Sequence, residues 1–94
     1  MNQKSRIMLL LYKYGAMSLR QLKQYLPDVK HTVLKEALWE LSESGKIIKI
    51  GSRRHYIYDL SEYGKQFLEN EYLKHRFYEL QLIDNMLLFD LNMR

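Results

Sequence analysis

The side chains of this sequence best placed to do chemistry are cations and aromatics rather than nucleophiles. Residues 51–55 read Gly-Ser-Arg-Arg-His, with Arg53, Arg54 and His55 lying between two β-prone runs. Nothing local can bury those charges, whereas a pair of guanidinium groups suits a phosphate backbone or a minor groove. Upstream, residues 28–45 place Leu34, Ala37, Leu38 and Leu41 on one stripe of a helix, and His31, Thr32, Lys35, Glu36 and Trp39 on its free face. These are hydrogen-bonding and stacking groups, and they suit contact with a polyanion. Arg20 and Lys23, near the start of the preceding segment, add candidate phosphate contacts.

Catalysis and metal binding are not indicated. The chain has no cysteine, which removes disulfides, thiolate metal sites and a catalytic thiol. It has no glycine-rich phosphate loop and no serine in a nucleophile-elbow context. His31, His55 and His75 fall on different elements, without helical i, i+4 pairing and without a carboxylate at a ligand interval. No enzyme, metal or cofactor is therefore expected, and an effector ligand is left open.

The elements that must position these residues follow from periodicity and punctuation. Ninety-four residues make one domain with a single small core, and the apolar fraction and eight tyrosines argue against disorder. A first helix is expected over Gln3–Tyr14, with Ile7, Leu10, Leu11 and Tyr14 inward and Gly15 as its stop. A short extended piece, residues 16–17, comes next. Ser18 is a plausible N-cap for a second helix burying Leu19, Leu22 and Leu26, which Pro27 must end. Gly45 closes the third helix. Residues 46–50 (KIIKI) and 56–60 (YIYDL) then shift to a period of two and read as a hairpin.

From the plausible N-cap Ser61, a long last helix is expected, since neither Gly nor Pro interrupts residues 65–94. Leu73, Phe77, Leu80, Leu87 and Leu91 follow a 4-3 alternation with Asp84 as the polar member, and Leu82, Ile83, Met86, Leu88 and Phe89 widen the stripe. So small a domain cannot cover that surface alone. A second copy is the simplest cover, with Leu73, Phe77, Leu80, Ile83, Leu87 and Leu91 at the interface; the alternative is folding back on the first helix.

Charge divides in the same place. Residues 1–60 carry eleven Lys or Arg and five Asp or Glu, a net +6, while residues 61–94 carry four and six, a net −2. A basic front suits DNA, and an acidic, apolar tail suits another protein chain. The apolar run from Ile7 to Leu11 is too short for a signal or a membrane span, so the chain is expected to stay in the cytoplasm with no membrane partner.

In order and spacing, these elements resemble a winged helix-turn-helix domain over roughly residues 5–68. The segment ALWELSESGKI (37–47), with Leu38, Leu41, Gly45 and Ile47 in step, is similar to the end of the recognition helix and the start of the wing. The segment YDLSEYGKQFL (58–68) resembles the Tyr-x-Leu-Thr-x-x-Gly stretch leaving the wing in PadR-like and MarR-like regulators and in small winged-helix proteins of archaeal viruses. Ser61 stands where those proteins usually have Thr. Two positions depart from the pattern. Lys30 replaces a frequent Ser N-cap, so capping must come from Asp28 or elsewhere. Glu36 replaces a frequent phosphate-binding Arg, and must either accept from a cytosine amine or pair with Lys35, Arg20 or another cation.

The resemblance implies a mainly α fold with a small β-hairpin (α+β). Residues 1–62 would form the winged helix-turn-helix, and 63–94 a dimerisation helix belonging to the same domain. It also implies a homodimeric, sequence-specific double-stranded DNA-binding transcriptional regulator. Residues 30–44 would lie in the major groove and the wing, 51–55, on the backbone or minor groove. Lys30, His31, Thr32, Lys35 and Trp39 would approach the groove, although Trp39, beside Leu38, is expected to be partly buried against the hairpin. The rival reading is a winged helix that docks another protein in a replication or transcription assembly, which Glu36 and the apolar tail keep open.

Overall fold

The computed structural model describes residues 2–73, with the backbone alone for Tyr72 and Leu73. Asn2 starts α1 (Gln3–Tyr14) by accepting from the Ser5 N–H at 2.8 Å. Gly15, at φ 88°, ends the helix, and β1 (Met17–Ser18) follows. Ser18 then caps α2 (Leu19–Tyr25) through a capping box: its hydroxyl accepts from the Gln21 N–H, and the Gln21 side chain accepts from the Ser18 N–H. Leu26, at φ −125° and ψ 56°, has left the helical region that a following proline disfavours, and the helix stops. After a short turn come α3 (His31–Glu43), β2 (Ile47–Ile50), β3 (Ile57–Leu60), α4 (Glu62–Leu68) and a π-helical turn, Glu69–Leu73.

The fold is mostly helical with a small antiparallel sheet, and the sheet has one strand more than the expected hairpin. Its order is β1-β3-β2. The central strand β3 pairs Ile57 and Tyr58 with Ser18 and Met17 on one side, and its four residues with Ile50 to Ile47 on the other. The sequence pattern shows the hairpin because its strands are neighbours. It marks β1 only as an extended piece, because two residues become a strand only when a free edge is brought beside them.

α1 is the centre of the core. Every residue from Ser5 to Leu11 is buried, all round the helix and not on one stripe, because α3, β3 and α4 each pack against it. Met8 and Leu9 thus join the expected Ile7, Leu10 and Leu11. Tyr14, expected inside, is largely exposed and stacks on the Tyr25 ring at 5.1 Å. The inner stripe of α3, namely Leu34, Ala37, Leu38 and Leu41, is buried as its spacing predicts, and Met17, Leu22, Leu26, Val29, Ile47 and Leu68 complete the cluster. Tyr12 donates to Glu69 at 3.4 Å and so ties α1 to the end of α4. Burial, and then the nearby Glu69 charge, hold its pKa above the ordinary 10.0.

The fourth helix is latched to the α3–β2 turn. Gly45 adopts φ 75° to close α3, and its carbonyl accepts from the Ser61 hydroxyl, while the Ser61 N–H donates to the Lys46 carbonyl at 3.1 Å. The Ser61 hydroxyl also accepts from the Gly64 N–H, capping α4. A Cβ on Gly64 would lie 1.9 Å from the Lys46 carbonyl oxygen, so only glycine lets the helix come this close. The expected helix from Ser61 is described only as far as the π-helical turn. Phe77, Leu80, Ile83, Leu87 and Leu91, the other apolar positions of that stretch and His75 all lie outside the described residues, as does the side chain of Leu73. Among the described residues, no helix is long and apolar enough to cross a membrane.

A tie with no sequence signal joins α1 to the α2–α3 turn. The Arg6 guanidinium is 7% exposed and meets Asp28 in a two-pronged pair, Nη1 to Oδ2 at 3.0 Å and Nη2 to Oδ1 at 3.3 Å. The Asp28 side chain remains half exposed, so the pair is worth less than a fully buried one. Two outcomes are expected in urea denaturation. Gly64→Ala should destabilise the fold by about 1–3 kcal/mol through overpacking, although alanine is the better helix former. Asp28→Ala should cost about 1–3 kcal/mol by stranding the Arg6 charge, and adding Arg6→Met should recover most of that loss. A double variant no more stable than Asp28→Ala alone would contradict this account of the pair.

Candidate nucleic-acid interface

The exposed side of α3 is organised in three strips. Thr32, Glu36, Trp39 and Glu43 recur at spacings of four, three and four and form its outermost ridge, all exposed. On the flank towards the sheet, Lys35 and Ser42 border a shallow groove of about 210 Å³ whose other walls are Leu38, Trp39, Lys49 and Tyr58. The opposite flank carries Val33, Glu36, Ala37 and Glu40. With Asn2, Gln3 and Lys4 of the α1 end they line a second groove of about 320 Å³.

The two grooves differ in charge. Among the described residues no carboxylate lines the sheet-side groove, which has two lysines and two aromatic rings, and Lys49 is held over the Tyr56 ring at 4.0 Å. The α1-side groove holds Glu36 and the Glu40–Lys4 ion pair. Glu36 pairs with neither Lys35 nor Arg20, contrary to one expectation from the sequence; it lies on the ridge and borders the acidic groove. Trp39 departs from expectation as well. It is 64% exposed, at the rim of the sheet-side groove and not buried beneath the hairpin, because Leu38 takes the inward position one residue earlier.

α3 begins without a side-chain cap. Lys30 occupies the N-cap position and makes no capping bond, whereas Asn2, Ser18 and Ser61 each cap their helices. Asp28, the expected substitute, is held by Arg6 instead. Charges along α3 also run against its dipole: Lys30 stands at the N-terminal end with no acid in the first turn, and Glu40 and Glu43 in the last turn. Such placements are each unfavourable by about 0.3–1 kcal/mol at low salt. Helix stability therefore does not account for the cation at the start of α3.

The remaining expected contacts fall into two groups. Arg20, Lys30, His31, Thr32 and Lys35 are exposed on α2 and α3, and Arg53, Arg54 and His55 are exposed at the hairpin tip. Among the described residues, none of Arg20, Lys30, Lys35, Arg53 and Arg54 forms an ion pair. Lys23 is committed elsewhere. Its ammonium donates to the Pro27 carbonyl at 3.3 Å and to the Val29 carbonyl, which closes the α2–α3 turn. A phosphate would have to compete with both. Sequence reasoning missed Lys49, Tyr58 and Ser42 as groove walls; the only trace was the lysine that interrupts the isoleucines of KIIKI. Among the described residues, no three His, Asp or Glu side chains gather as a metal site.

Lys30→Ser would give α3 the cap its neighbours have. The free energy of unfolding should then rise by about 0.5–1 kcal/mol in urea denaturation. An unchanged value would show that another group already satisfies those amides.

Among known proteins, no family model matches this chain and no curated protein matches it.

Proposed function

We propose that this chain is a winged helix-turn-helix protein that binds double-stranded DNA as a homodimer and regulates transcription by occupying a promoter or operator. In this reading α2 and α3 are the helix-turn-helix, and the β2–β3 hairpin is the wing. One observation carries it: among the described residues, Lys30, Lys35, Arg53 and Arg54 are exposed without a carboxylate partner on α3 and on the hairpin beside it, while carboxylates engage Lys4 and Arg6. Cations left uncompensated on two adjacent projections suit a groove and its flanking phosphates. His31, Thr32 and Lys35, in the first turns of α3, are the base-reading candidates, since recognition helices read with their N-terminal residues. The acidic end of α3 then tilts away from the duplex.

The pairing of two copies rests on the 4-3 apolar pattern from Leu73 to Leu91. Two reading heads about 34 Å apart would meet successive turns of one face of B-DNA. A second reading, docking of a protein partner, is favoured by the outer face of the sheet, where Ile48, Ile50 and Ile57 are exposed side by side.

Binding should weaken steeply with salt. If each dimer neutralises about six phosphates, log K falls against log salt with a slope near −5. Arg53→Ala with Arg54→Ala should weaken binding to all sequences alike and flatten that slope, while Thr32→Ala or Lys35→Ala should change which sequence is enriched from a random pool. Fluorescence anisotropy across a salt series, with light scattering for the dimer, reads these outcomes. A flat salt response and no enriched sequence would leave the protein-docking reading in its place.

A further inference from the structure

We infer that the groove between α3 and the hairpin takes one unpaired nucleobase of a DNA strand, stacked on Trp39, with an adjoining phosphate on Lys49. The inference rests on the proposed DNA binding and adds a second specificity to it, for duplex that carries an unpaired end or an extruded base. Three features of the site lead there. Trp39 is 64% exposed although the core lies one residue away, so a large, polarisable aromatic side chain is left mostly in water. The groove it borders, about 210 Å³, is smaller than the roughly 300–1,000 Å³ of pockets that hold drug-sized ligands. That is room for a single planar ring. Among the described residues the walls supply two ammonium groups, a serine hydroxyl, a tyrosine ring and no carboxylate, the nearest acids along α3 being Glu36 and Glu43 on the ridge outside the groove.

The choice between paired and unpaired strands follows from geometry. In a duplex the faces of each base are covered by its neighbours, and only edges are offered in the grooves. An indole face can stack only on a base whose own face is free, as in a single strand, at a frayed end or on an extruded nucleotide. Lys49 lines this groove with its ammonium over the Tyr56 ring at 4.0 Å, a contact that a phosphate would have to share.

Trp39 is the sole tryptophan of the chain, so its fluorescence reports on this groove directly. The 94-residue chain is titrated at low salt with a blunt duplex, the same duplex with a short thymidine overhang, and the same duplex with an abasic overhang of equal length. The thymidine overhang should bind about tenfold tighter than the other two and should quench Trp39 more deeply. Trp39→Ala, at an exposed helical position where alanine keeps the fold, should bring the thymidine overhang down to the affinity of the abasic one. Trp39→Phe should retain part of the difference. Equal affinity and equal quenching for all three DNAs would overturn this inference alone and leave duplex binding standing. Failure to bind any of them would overturn both.

Discussion

A guanidinium almost removed from water constrains the arrangement of the helices. Arg6 sits in the buried stretch of α1, and a charge in that position costs several kcal/mol unless an opposite charge and good hydrogen bonds meet it. Asp28, on the α2–α3 turn, supplies both, its two carboxylate oxygens accepting from the two Nη atoms of Arg6. The turn is thereby held against α1, and Val29 beside it is buried in the core. Lys23 draws the same turn tight from within by donating to the carbonyls of Pro27 and Val29. These ties fix the turn from which α3 starts, and the buried stripe Leu34, Ala37, Leu38 and Leu41 sets which of its faces looks outward.

The same pair withholds a cap from α3. Asp28 is the nearest carboxylate before the helix, and with its oxygens on Arg6 the helix starts from Lys30 without a side-chain acceptor. The other three described helices have their caps. An uncapped start bearing a cation and a last turn bearing acids are together unfavourable for an isolated helix. α3 holds because Leu34, Ala37, Leu38 and Leu41 are buried against the rest of the core, and burial of a leucine outweighs such end effects. Packing thus frees the surface of α3 to carry charges that helix stability alone would not favour.

At its other end α3 is joined to both remaining layers. Gly45 turns the chain into β2, and its carbonyl, with that of Lys46, receives Ser61 at the start of α4. Gly64 lets the helix backbone lie directly on Lys46. The hairpin stands beside α3 because both of its ends are anchored at this junction: β2 leaves it and β3 returns to it. The sheet-side groove, with Trp39 on one bank and Lys49 and Tyr58 on the other, is a product of that closure.

Much of the local structure was legible in the residues themselves. The Ser18 and Ser61 caps, the stop at Pro27, the left-handed Gly45, the inner stripe of α3 and the alternation of the hairpin all depend on neighbours within a few positions, and each is where periodicity and capping chemistry put it. The YDLSEYGKQFL segment drew attention to Gly64, but its reason, a carbonyl 18 positions earlier in the chain, is visible only in three dimensions. The engagement of Arg6 with a residue 22 positions away, the burial of α1 on every side, the pairing of β1 with β3 and the exposure of Trp39 were decided by tertiary structure. Spacing along one helix tells which residues share a face, but only the packing of several elements tells what lies opposite that face, and so whether a charge finds a partner or a ring stays in water.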